Sequence, residues 1–81
     1  MNKKILESIT PIFREVFDEP SLILTDELSA KDVANWDSLN HITLIVELEM
    51  HTGLVLTTDE LVNLRNVGDF VNLLAERGYR G

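Results

Sequence analysis

Ser38 and His41 stand three residues apart in a stretch of helical apolar spacing, so a hydroxyl and an imidazole share one side of that segment. Such a pair can be imagined as a nucleophile and its general base. Nucleophilic catalysis also requires a third group to orient the base and an oxyanion site shielded from water, which so short a chain has few ways to build. His41 falls on the side expected to face a core, where a buried or half-buried neutral histidine is the simpler reading. His51 reads as a solvated residue at a helix end, where a cation suits the helix dipole. Asp26, Leu28, Ala30 and Asp32 lack the alternating oxygen ligands and the glycine of a calcium loop. With no cysteine, the chain has neither thiolate ligands nor disulfides, and any reactive thiol must be brought in. The expectation is a non-catalytic protein without a metal site.

These residues must be positioned by helices. From Ile5, the residues Ile5, Ile9, Ile12 and Val16 recur with Leu6, Phe13 and Phe17 at spacings of three and four, which predicts a first amphipathic helix. Pro11 lies inside it, so either the helix kinks or Thr10 caps a second start; the unbroken phase of the apolar stripe favours the kink. Asp18-Glu19-Pro20 ends this helix, and the stretch to Trp36 shows no sustained period. Leu22-Ile23-Leu24-Thr25 has strand propensity, but a lone strand has no mate for its backbone groups. A long loop pinned by Leu22, Leu24, Leu28, Val33 and Trp36 is expected, of a length that is often functional.

Asp37 or Ser38 serves as N-cap of a second helix that Gly53 terminates. Thr57 and Glu60 have capping-box spacing before a short third helix, and Asn66 caps a fourth in which Val67, Phe70, Val71 and Leu74 share a face before Gly78. The predicted fold is all-α: a single domain over 1–81, a small four-helix bundle with a long loop between the first two helices and a short third helix. The second helix has His41, Leu44, Ile45 and Leu48 along one side and Leu39, Ile42, Val46 and Met50 along another, with only Asn40, Glu47 and His51 clearly polar. It is either buried nearly all round as a central core helix, the ordinary meaning of such stripes, or it displays a second apolar face.

Composition narrows the partners. Fourteen acidic against seven basic residues give a net charge of −7, which repels phosphate backbones and anionic lipid, so neither nucleic acid nor a membrane is expected. The basic start Met1-Asn2-Lys3-Lys4 is followed by apolar residues interrupted by Glu7, Ser8, Thr10 and Pro11, unlike a signal peptide, and no apolar run approaches the roughly 20 residues that span a bilayer. A soluble cytoplasmic monomer is expected. At 81 residues, its single core contributes only about 3–5 kcal/mol of net stability.

Asp37-Ser38-Leu39 opening an apolar helix, after a long loop and a first amphipathic helix, resembles the attachment motif of acyl carrier proteins. The similarity covers almost the whole chain and includes Asn66-Val67-Gly68-Asp69 at the start of the last helix. The resemblance implies that Ser38 takes a 4'-phosphopantetheine group from coenzyme A through a phosphopantetheinyl transferase. It implies further that acyl groups are then held as thioesters on the arm's thiol and presented to loading and transferring enzymes. Asp37, besides capping, would help that transferase place its metal and coenzyme A. The second helix would be the docking surface, through Leu39, Asn40, Ile42, Thr43, Val46, Glu49 and Met50.

The chain departs from the family pattern at some of these places. Fatty-acid synthase carriers often put acidic residues where Asn40, Thr43 and Met50 stand, with Glu49 remaining here. Between Lys31 and Arg65 lie Asp32, Asp37, Glu47, Glu49, Asp59 and Glu60 and no Lys or Arg, so the field can still steer basic partners while the contact itself is more apolar. The expectation is a specialised stand-alone carrier, in fatty-acid or specialised lipid or polyketide synthesis, dedicated to a few enzymes. Trp36 replaces the small residue common two places before the serine and reads as a loop anchor. Thr52, where an aromatic core residue is common, puts the packing there in doubt and implies a wider opening. Two other readings stand beside the acyl carrier: an aminoacyl or peptidyl carrier with the same arm, and an unmodified helical adaptor binding through its exposed stripe.

Overall fold

The computed structural model describes residues 2–81; Met1, counted above in the basic start, lies outside them. Four helices follow one another: α1 (Lys3–Val16), α2 (Ser38–Thr52), α3 (Thr58–Leu61) and α4 (Val67–Glu76). Each starts on a side chain that accepts a hydrogen bond from an otherwise orphaned backbone N–H: Asn2 for α1, Asp37 for α2, Thr57 for α3 and Asn66 for α4. Thr57 and Glu60 form the full capping box, and the Thr57 N–H, then Arg77, hold the Glu60 carboxyl below its ordinary range.

α1 runs through Pro11 as one helix, beginning two residues before Ile5 because Asn2 caps it. Thr10 does not start a second helix: its hydroxyl donates back to the Leu6 carbonyl at 2.6 Å. Ile5, Ile9, Phe13 and Phe17, spaced by four, are fully buried, with Leu6, Ile12 and Val16 partly buried on the flanks. α1 packs against α2 and α4, and α4 adds Val67, Phe70, Val71, Leu73 and Leu74 to the same core. Phe13 sits in an aromatic cluster, edge-on to Phe17, Trp36 and Phe70 at centroid distances of 5.9, 5.8 and 5.7 Å. Such pairs contribute about 0.5–1.5 kcal/mol each beyond their burial.

Residues 18–36 form a loop, with no strand at Leu22–Thr25; its single ladder contact is a bridge between Ser29 and Asn66. Leu24, Val33 and Trp36 are buried and Leu22 and Leu28 partly so, as anchors must be if the loop is to stay ordered. Polar clips supplement them: Arg14 Nε donates to the Leu22 carbonyl at 2.8 Å and Asn35 Nδ2 to the Phe17 carbonyl at 2.7 Å. The loop is also fastened to the start of α4, where the N–H groups of Val67 and Gly68 donate to the Leu28 and Asp26 carbonyls. A Cβ on Gly68 would lie 2.7 Å from Asp26 Oδ1 and 3.2 Å from the Asp26 carbonyl, so a larger residue would have to turn the Asp26 side chain away and crowd this backbone approach. The loop thereby delivers Trp36 and Asp37 to the start of α2.

Candidate functional site

Of the two candidate caps of α2, the structure selects Asp37: its Oδ1 accepts the Asn40 N–H at 2.8 Å, and its carbonyl accepts the His41 N–H. Ser38 is therefore the first helical residue, exposed, with its hydroxyl not needed to close the helix. The amides of Ser38 and Leu39 precede the first intrahelical bond and, with the helix dipole, favour a negative group attached there. Beside Ser38 lies an open groove of about 650 Å³, lined by Ser38, Asp37, Trp36, His41, Ile42, Leu64, Ala30 and Arg65.

Trp36 and His41 form one wall of this groove. Trp36 is nearly fully buried, stacked on Phe17 at 5.1 Å, and its indole N–H donates to His41 Nδ1 at 3.0 Å. The expected loop anchor is thus also a polar partner, a link invisible in sequence because the two residues belong to different elements. Burial lowers the His41 pKa, consistent with the expected neutral, half-buried histidine. An indole nitrogen only donates, so Nδ1 is the acceptor and the ring proton resides on Nε2. The one basic lone pair of the neutral ring is committed to Trp36, which leaves none to deprotonate Ser38. The nucleophile and base considered above therefore do not form a working pair.

The two apolar sides of α2 separate cleanly. Leu44 and Leu48 are 0% exposed and Ile45 8%, whereas Leu39 is 72%, Ile42 60%, Val46 46% and Met50 67% exposed. Thr43 is exposed beside them, its hydroxyl bonded to the Leu39 carbonyl. Two polar residues expected on this surface do not stand free. Asn40 is half-buried and donates to the Asn35 carbonyl at 2.8 Å, and Glu49 is half-buried and accepts the Leu56 N–H at 2.8 Å, fastening the chain after α2 to the helix. The open stripe is consequently more apolar than the residue types suggested.

At the far end of α2, Thr52 is half-buried, its hydroxyl donating to the Leu48 carbonyl at 2.8 Å and accepting the Leu54 N–H at 3.3 Å. His51 is exposed but tied, its Nε2 within 2.9 Å of Ser8 Oγ and its ring edge-on to Tyr79, whose hydroxyl also meets Ser8. This clasp joins α1, α2 and the segment after α4, and no spacing in the sequence announces it.

A serine at the start of a helix that another residue caps, beside a groove and next to an outward apolar stripe, is the arrangement that the resemblance to acyl carrier proteins implies for a small helical carrier. No protein-family model matches the chain. It is 33% identical over 73 residues to an acyl carrier protein of Acidothermus cellulolyticus, covering 90% of this chain and 87% of that protein. It also resembles the solution structure of a holo acyl carrier protein from Geobacter metallireducens, with 49% identity, a TM-score of 0.82, and 88% of this chain and 82% of that one covered. The chain belongs to the acyl carrier protein family.

Proposed function

We propose that Ser38 carries a 4'-phosphopantetheine arm, placed there from coenzyme A by a phosphopantetheinyl transferase, and that the 81 residues act as one non-catalytic carrier domain. The carrying observation is the exposure of Ser38 at the first position of α2, released from capping by Asp37, in a member of a family that includes a holo protein. The residues fit the group. The orphan amides at the start of α2 suit its phosphodiester, and the groove lined by Trp36, Ile42 and Leu64 suits the less polar part beyond. When attached, the arm supplies a terminal thiol on which an acyl group is held as a thioester. Ser38 anchors it and α2 orients it, while Asp37 keeps the helix start rigid and stands where the transferase must approach.

Partner enzymes would dock on Leu39, Ile42, Val46 and Met50, a continuous apolar stripe next to Ser38, with Thr43 at its edge. The carboxylates of the surrounding segment supply steering toward basic surfaces, and the apolar stripe supplies the contact. That balance supports a carrier dedicated to few enzymes. Among the described residues no helix is long and apolar enough to cross a membrane; kinship with acyl carrier proteins supports a place in the cytoplasm.

The test is intact mass after incubation with coenzyme A and a broad-specificity transferase, followed by peptide mapping. A gain of one phosphopantetheine on Ser38, lost in Ser38→Ala, is expected. No gain with several competent transferases would overturn the assignment in favour of an unmodified adaptor, and loading with aminoacyl groups only would make the carrier an aminoacyl or peptidyl one.

A further inference from the structure

We propose that His41 is a positioning residue for the phosphodiester that joins the arm to Ser38, donating to one of its oxygens from Nε2–H. This rests on the attachment reading above. Three observations carry it. First, the Trp36 indole N–H occupies Nδ1 and so selects the tautomer with its proton on Nε2. The second is access. His41 lines the same groove as Ser38, and no buried side-chain nitrogen or oxygen among the described residues lacks a partner. Nε2, which has no hydrogen-bond partner among the described residues, therefore reaches solvent.

The third is reach. Ser38 and His41 are three apart on α2, a spacing that sets side chains about 5–6 Å from each other at Cβ. The first group of the arm beyond the serine oxygen is the anionic phosphodiester, so it is the part nearest to His41. A hydrogen bond to an ionised oxygen is about twice as strong as a neutral one.

The surroundings make the effect readable. The His41 ring packs against Trp36 from the loop and Phe70 from α4, neither charged. The charged residues lining the groove are Asp37, engaged with the Asn40 N–H, and Arg65, from the segment before α4. Protonating His41 would set Nδ1–H against the Trp36 N–H, donor to donor, which together with burial keeps the ring neutral in the unmodified protein. A phosphodiester beside Nε2 acts in the opposite direction, favouring the charged ring. Attachment of the arm must then raise the His41 pKa without changing its tautomer.

The experiment compares unmodified protein with protein loaded by coenzyme A and transferase, each verified by intact mass. Long-range proton–nitrogen NMR follows the His41 tautomer and titration, and phosphorus NMR follows the phosphodiester. The expected result is the Nε2–H tautomer in both forms and a higher His41 pKa in the loaded one. The phosphorus resonance should be displaced in His41→Phe and returned toward its original position in His41→Gln, whose amide N–H replaces Nε2–H. Should His41→Phe fail to fold by circular dichroism, the wild-type comparison and His41→Gln still decide. A His41 titration unchanged by loading, or a phosphorus signal indifferent to residue 41, overturns the proposal and leaves Ser38 as the attachment site. Absence of any mass gain overturns the attachment reading and this proposal with it.

Discussion

On α2, Leu44, Ile45 and Leu48 lie within the common core, while Leu39, Ile42, Val46 and Met50, of the same chemical kind, face outward. The other two long helices offer one apolar face each, and the core absorbs both. α2 offers two, and α1, α4 and the loop cover only one. Burial of an apolar side chain is a property of what lies opposite it, so the same residue types divide into a face that stabilises and a face left for other molecules. The division matters most next to Ser38, where the uncovered face meets the groove.

Substitutions can break that contrast or sharpen it. Leu48→Ala empties a fully buried site and should cost about 2–5 kcal/mol in urea denaturation, comparable to the whole net stability of so small a core. Ile42→Ala, on the other face, should change stability by no more than about 0.5 kcal/mol. Similar losses at both sites would erase the distinction. Asp37→Ala removes the cap of α2 and should cost about 0.5–2 kcal/mol, whereas Ser38→Ala, one residue along, should be nearly neutral in stability while abolishing loading. The reverse order would show that the cap had been misplaced.

Smaller effects sharpen the picture. Val46→Asp should leave the circular dichroism spectrum unchanged and shift stability by about 0.5 kcal/mol or less, yet slow acyl transfer to a partner. Unfolding would place Val46 in the core instead. The pH dependence should be the weakest signal. The His41 pKa is lowered in the folded protein, so the unfolded chain takes up that proton first as pH falls. Stability should be full above the ordinary imidazole pKa, decline as pH drops from there toward the lowered one, and level off below it. His41→Gln should flatten this segment of a stability-against-pH curve, and an unaltered slope would show that His41 does not cause it.

Much of the fold was legible because its signals are local. The capping box at Thr57 and Glu60, the Asn66 cap and the stripes of α1 and α4 depend on residues within a turn or two of each other. The Asp37-Ser38-Leu39 motif was visible for the same reason, although its sequence left open which residue caps. The cap at Asn2 is not legible in the same way, because the first helical residues, Lys3 and Lys4, are polar and the apolar stripe that marks the helix begins only at Ile5. The bond from Leu56 N–H to Glu49 is not legible, because it joins α2 to the chain beyond Gly53 and no pattern within a turn specifies it.

From the sequence alone came the helices, their order, the long anchored loop, the acidic field and the candidate serine, since periodicity, capping chemistry and net charge act through neighbours along the chain. Tertiary structure alone decided which apolar side of α2 is covered, that Trp36 sets the tautomer of His41, that Asn40 and Glu49 are tied to the backbone of neighbouring segments, and that Ser8, His51 and Tyr79 meet. Those outcomes depend on which surfaces are brought opposite one another, and a hydrogen bond or a buried contact between separate elements exists only after the chain has folded.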